Sequence, residues 1–360
     1  MKTLITILVS IFFVSTIAAE EAVREIKISK EWKIAPNSTF ELIAKNSDFR
    51  VEFWEKDNVR IDFVIKTNKA DFTSKDFEEM LQTSASTSAN KLSINTSLDT
   101  DKSSSIWNWI IKTKDKITKD IDFNNSNVIY LPKNLAQLNF NVNYGNLRIG
   151  EINIPLKISS SYGEASVLKN KNKTVITSAY TDMKLGDLSN LKLNSSYGDF
   201  IIDNIDTLIS STSYCDIKLS SSAYIQSLNT NYGDVTIQKT SYIKTIATYS
   251  DIKIKSLLQE VNAVLTYSDI NIDDIAKSLK GITITSTYSD SKIKINPENP
   301  INVQIKDVNG DINIKNPRLQ LNISKSENGN SSSITARTKT ATDASPMIKI
   351  NSSNSDIIIY

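Results

Sequence analysis

Apolar and polar residues alternate in short runs along most of the chain. Leu156 and Ile158, Leu191 and Leu193, and Ile282 and Ile284 mark one kind of run, and Ile252 and Ile254 mark another. A period of two puts successive side chains on opposite faces of a half-buried strand. Between the two kinds of run stands a motif: Tyr144-Gly145-Asn146, Tyr162-Gly163-Glu164, Tyr180-Thr181-Asp182, Tyr197-Gly198-Asp199, Tyr214-Cys215-Asp216, Tyr232-Gly233-Asp234, Tyr249-Ser250-Asp251, Tyr267-Ser268-Asp269 and Tyr288-Ser289-Asp290. The tyrosines step by 18, 18, 17, 17, 18, 17, 18 and 21 residues. Degenerate copies flank them at Asn46-Ser47-Asp48, Asn309-Gly310-Asp311 and Asn354-Ser355-Asp356.

Each unit therefore reads as strand, corner, strand. Apolar positions fall about 3, 5 and 8 residues after each tyrosine and 6 and 4 before the next, with a third apolar residue such as Leu188, Ile205, Leu257 or Ile275 where the chain turns back. The alternation changes phase between Tyr and Asp, so the chain bends there. The small second position suits the corner and, where it is Gly, supplies a positive φ. The tyrosine shares the phase of the buried residues before it, which places its ring inward.

A unit of 17 to 18 residues cannot bury its own apolar face, whereas stacked units can. The expected fold is all-β: a parallel β-solenoid with neighbouring coils about 4.8 Å apart. The bias of parallel connections favours a right-handed coil. A left-handed hexapeptide helix needs a six-residue apolar period, which these offsets do not show.

Outside the regular coils the pattern divides the chain. Residues 1–19 read as a signal peptide: Lys2, an apolar run from Leu4 to Val14, then small residues to Ala19. The apolar run is shorter than the roughly 20 residues of a membrane span. Residues 20–66 read as strands that start the solenoid. Residues 67–127 form an excursion with a short helix at Lys75 to Gln82 and a segment around Trp107 and Trp109. Residues 128–316 carry the regular coils, and 317–360 a polar loop and closing strand.

Composition narrows the chemistry. The chain has 360 residues, no histidine and one cysteine. Histidine-dependent triads and histidine-ligated zinc are excluded, and so is a disulfide framework. A net charge of +2 gives no electrostatic basis for binding nucleic acid. No cofactor is implied, and no catalytic residues converge, so the chain reads as a non-enzyme.

Three features remain as candidates. Asp182, Asp199, Asp216, Asp234, Asp251, Asp269 and Asp290 would form a column about 4.8 Å apart, repelling by roughly 0.9 kcal/mol per neighbour in water. Arg148, Lys184, Lys218, Lys253 and Lys292 follow two residues after the acid on alternate coils and balance it. The expected role of the acids is to cap the corner through their own backbone. A calcium column is the functional alternative, against which the glycine-rich calcium-roll signature is absent. The tyrosines would stack as a second column. Trp107 and Trp109 point the same way if their segment is a strand, either pinning the excursion or contacting a ligand. Cys215 fills the small corner position and lacks a histidine partner.

The repeated Tyr-Gly/Ser-Asp-x-x-Ile pattern, with the export signal, the Ser-rich stretch before Trp107-Asn108-Trp109, the Tyr130-Leu131-Pro132 strand and the closing Asp motif, resembles the bacterial "putative adhesin" β-strand-repeat family, related to the auto-transporter adhesin-head GIN-type domains. The resemblance covers most of the mature chain. It implies adhesion by analogy and brings no residue with an assigned activity. The expected function is that of an exported, non-catalytic, adhesin-like protein of the surface, periplasm or extracellular space. Its partner would be an unknown glycan or protein, and it would not be integral to the membrane. A carbohydrate-active β-helix enzyme and a purely structural envelope component are the alternatives.

Overall fold

The structure is a computed structural model that describes residues 24–67, 71–98, 127–296, 298–315, 319–323 and 330–360. Residues 1–19, expected to be a signal peptide, and Trp107 and Trp109 lie outside them. The described chain is all-β with a single helix, and its long parallel strands form the β-solenoid that the repeat dictates. It divides into two compact units, Met1–Val167 and Leu168–Tyr360.

In the second unit the repeat is visible in the strand register. Met183 lies beside Phe200, then Ile217, Val235, Ile252, Ile270, Ser291, Ile357 and Ile312, all in parallel pairing. One column thus follows the Tyr-to-Tyr step, with each coil's apolar residues beneath those of the next. These positions are sealed: Ile217, Val235, Ile252 and Ile270 are each 1% exposed. Coils of 17 and 18 residues stay aligned because register shifts take up the difference. One lies between Leu208 and Ile209, opposite Ile225 and Ser227.

Chain order and stacking order part company in two places. The strand Met347–Ser353 pairs in parallel with Gly281–Thr287 on one side and with Asn302–Val308 on the other. The final coil, Met347–Ser353 together with Ile357–Ile359, therefore lies between two earlier coils rather than beyond them. Its Ile348, Ile350, Ile357 and Ile359 are fully buried. In the first unit, Thr39–Lys45 likewise lies between Lys91–Leu98 and Gln137–Asn143.

The exposed edges of the stacks are paired with antiparallel strands. Leu81–Ser88 covers Lys91–Leu98, Asn58–Thr67 covers Asn127–Pro132 and is itself flanked by Arg24–Lys33, and Ser331–Thr338 covers Asn302–Val308. Pairing of this kind removes a template for further parallel stacking. The short helix is Ser74–Met80, capped by Thr73 and Asp76 in a reciprocal pair, with Phe77 and Met80 buried.

Candidate functional site

The corner that each repeat builds is the candidate site. In every regular coil the tyrosine adopts the left-handed conformation, with φ between 50° and 57° at Tyr144, Tyr162, Tyr180, Tyr197, Tyr214, Tyr232, Tyr249, Tyr267 and Tyr288. That single residue turns the chain. It also inverts the alternation, so that the residue after it points inward: Thr181, Cys215, Ser250, Ser268 and Ser289 are at most 2% exposed. The tyrosines stand outside, 44% to 54% exposed. Their expected inward placement is therefore wrong. Alternation holds up to the residue before the tyrosine, and the left-handed tyrosine itself breaks it, one position earlier than a bend between Tyr and Asp would. The positive φ belongs to the tyrosine, not to the glycine that follows.

Glycine and serine solve the inward position differently. An added Cβ at Gly233 would meet the Cys215 carbonyl oxygen at 2.2 Å, and one at Gly198 would meet that of Thr181 at 2.2 Å. These glycines are needed for close approach between coils. Where serine follows, the hydroxyl joins the ladder. Gly233, Ser250, Ser268 and Ser289 donate their N–H groups to the hydroxyls of Ser250, Ser268, Ser289 and Ser355, at 2.8 to 3.0 Å. Each of these serines donates in turn to the carbonyl two residues before it. Buried hydroxyls are thereby satisfied.

Outside, the tyrosine rings form a continuous stack within the second unit. Seven rings from Tyr180 to Tyr288 lie 4.8 to 5.0 Å apart between centroids, with planes within 1° to 6° of parallel. Tyr144 and Tyr162 make the same contact in the first unit at 4.8 Å and 2°. Each interior ring has a neighbour on both faces. The stack consequently presents ring edges and a row of phenol hydroxyls to solvent, and a full ring face only at an end.

Beside the rings runs the acid column, held coil to coil. Asp182 Oδ1 accepts the N–H of Asp199 at 2.8 Å, Asp216 that of Asp234 at 2.9 Å, Asp234 that of Asp251 at 3.1 Å, Asp251 that of Asp269 at 3.0 Å and Asp269 that of Asp290 at 2.8 Å. The acids thus cap the next coil's backbone rather than their own. Lys184, Lys218, Lys253 and Lys292 sit on alternate coils, separated by Ile201, Thr236 and Asn271. None of the ion pairs among the described residues joins these lysines to the column. The carboxyl group of Asp269 is pushed above its ordinary range by partial burial and by the charges of Asp251 and Asp290, against the N–H of Asp290 and the charge of Lys292. Among the described residues no group of three or more acids or cysteines is placed to hold a metal ion. The Cys215 thiol, buried at the corner, is likewise raised, chiefly by desolvation.

A second aromatic pair escaped the sequence reading. Tyr224 and Tyr242 stack at 4.5 Å and 17° on another column, with Glu260 next in register. Their 18-residue separation was the available signal. Burial first, then Tyr224 and Glu260, raise the Tyr242 phenol.

No family model matches the chain, and neither does any curated protein. Solved structures with a distant likeness include the following two. A "putative cell adhesion protein" from Clostridium sporogenes is 11% identical, with 93% of this chain and 99% of that chain covered and a TM-score of 0.19. A "Putative lipid binding protein" from Parabacteroides distasonis is 12% identical, with 93% and 96% covered and a TM-score of 0.29. Likeness at this level carries no argument about ligand or site.

Proposed function

We propose that the protein is an exported, non-catalytic binding protein of the adhesin-like β-strand-repeat family, and that the tyrosine-bearing corner is its contact surface. The observation that carries this reading is the combination of strain and exposure. A left-handed backbone costs a non-glycine residue roughly 1–2 kcal/mol. Asn46, Asn309 and Asn354 fill the same left-handed position in the degenerate coils, and asparagine tolerates it well. Nine tyrosines in that place hold large rings out toward water, at exposures of 44% to 54%. Strain retained where a milder residue would serve is a pointer to function.

The rings, carboxylates and hydroxyls repeat on every coil, which suits a linear polymer lying along the stack. A glycan is the favoured partner because its hydroxyls match phenols and carboxylates alike. The test is a glycan array probed with the exported chain, followed by the Tyr214→Asn/Tyr249→Asn variant. Asparagine keeps the corner and removes two rings. Saturable binding without sugar release, weakened at least tenfold by the variant, is the expected result. Release of products would favour a carbohydrate-active enzyme, and silence across the array a structural component.

A further inference from the structure

The ring stack of the second unit ends two coils short of the coils themselves. Beyond Tyr288 the next two coils carry Asn354 and Asn309 at the same left-handed position, with φ of 51° and 65°. The stacking order is given by the backbone: Tyr288 N–H donates to the Ser353 carbonyl at 3.0 Å, and Asn354 N–H to the Val308 carbonyl at 2.8 Å. Tyr288 is covered on one face by Tyr267, 5.0 Å away. No described ring covers its other face, and at 52% it is the most exposed of the seven. Two short side chains thus leave a notch two coils high, about 9–10 Å at the usual spacing.

The walls of this notch are chemically mixed. One is the flat apolar face of Tyr288. The floor carries the amides of Asn354 and Asn309, with Val308 at 44% exposure beside them. Asp290 and Asp356 stand at the rim. Each spends Oδ1 on the next coil's N–H, at 2.8 and 3.2 Å, and keeps its second oxygen for solvent. An aromatic guest would satisfy the ring face and leave the amides and carboxylates unanswered. An ammonium group would use the carboxylates and neglect the amide donors. A pyranose answers all of them. Its axial C–H face packs on the ring, and its equatorial hydroxyls donate to carboxylate oxygens and exchange hydrogen bonds with the amides.

We infer that this notch is a binding site for one hydroxylated six-membered sugar ring, seated on the free face of Tyr288 where the protein's own stack stops. The inference rests on the proposed binding function and narrows it to a particular end of the stack. It also accounts for the two asparagines: a tyrosine at 354 and 309, tolerated in nine other coils, would fill the site.

The experiment uses the full exported chain with methyl β-glucopyranoside as probe and saturation-transfer NMR as readout. The expected result is strongest transfer to the sugar's H1, H3 and H5, which share one face. The Asn354→Tyr/Asn309→Tyr variant extends the stack to the last coil. It should lose at least five-fold in transfer while melting at the same or a higher temperature, which separates site filling from misfolding. Unchanged transfer in the double variant overturns the notch, and array binding that persists in that variant leaves the broader reading standing. No transfer to the wild-type chain overturns the notch too, and absence of all array binding removes both.

Discussion

At the scale of the residue, Tyr249 shows what the corner balances. It holds φ at 50° and stacks between Tyr232 at 4.9 Å and Tyr267 at 5.0 Å. Each stacked pair contributes about 0.5–1.5 kcal/mol, against a backbone penalty of roughly 1–2 kcal/mol. Tyr249→Asn removes both pairs and relieves much of the penalty, so it should destabilise by about 1 kcal/mol. Tyr249→Ala removes the pairs and keeps the penalty, so it should be the worse of the two. Both should fall short of the roughly 3 kcal/mol or more lost when a buried aromatic is truncated. Urea midpoints of the two variants check this; a loss above 3 kcal/mol for the asparagine change would mean that the rings are core after all. The degenerate copies held the clue to this placement, since Asn46, Asn309 and Asn354 are a residue type that favours left-handed backbone.

At the scale of the element, the strands and the helix were legible because their signals are local. The alternation in Phe40 to Ile43 and in Val59 to Ile65, and the run Lys75 to Gln82, fall within the observed Thr39–Lys45, Asn58–Thr67 and close to Ser74–Met80. Which coil stacks on which was not legible. Every coil offers the same inward pattern, so periodicity names a coil's buried face without naming its neighbour. The insertion of Met347–Ser353 between Gly281–Thr287 and Asn302–Val308 follows from the long-range register alone.

The antiparallel edge strands add a feature with a pH signature. Asp62, 1% exposed, accepts from Ser29 at 2.7 Å and pairs with Lys27 and Arg60, each at 2.6 Å. Desolvation raises its pKa, but the hydrogen bonds from Arg60, Lys27 and Ser29 outweigh it and hold the carboxyl below the usual range. A depressed folded pKa contributes stability that is present above the unfolded value, about 3.9, and that is lost as pH falls through the folded value. Asp62→Asn should therefore destabilise by about 1–3 kcal/mol at pH 6, with the difference from wild type shrinking toward pH 3. Chemical melts at the two pH values measure it, and a difference that grew on acidification would refute the assignment.

At the scale of the whole molecule, a chain with 42 basic and 40 acidic residues is close to neutral, yet its corner is locally acidic. Asp182 to Asp290 supply seven carboxylates, while Lys184, Lys218, Lys253 and Lys292 supply four charges on the same strip. Burial is the largest cause of the raised Asp269 carboxyl, and the neighbouring charges of Asp251 and Asp290 add repulsion to it. Two mechanisms could relieve that repulsion: general screening by salt, or specific coordination of calcium. They differ in what the carboxylates have free. Calcium takes six to eight oxygen ligands, several of them backbone carbonyls, whereas here one oxygen of most column acids is committed to the next coil's N–H. Screening needs no ligand geometry and acts over about 10 Å at 0.1 M salt. Raising sodium chloride from low concentration should therefore raise the melting temperature by a few degrees. Exchanging excess chelator for millimolar calcium at fixed ionic strength should change it by no more than about 2 °C. A calcium-specific rise above about 10 °C would correspond to several kcal/mol of linkage. It would convert the acid column from a backbone cap into a metal site and the protein into a calcium-dependent binder.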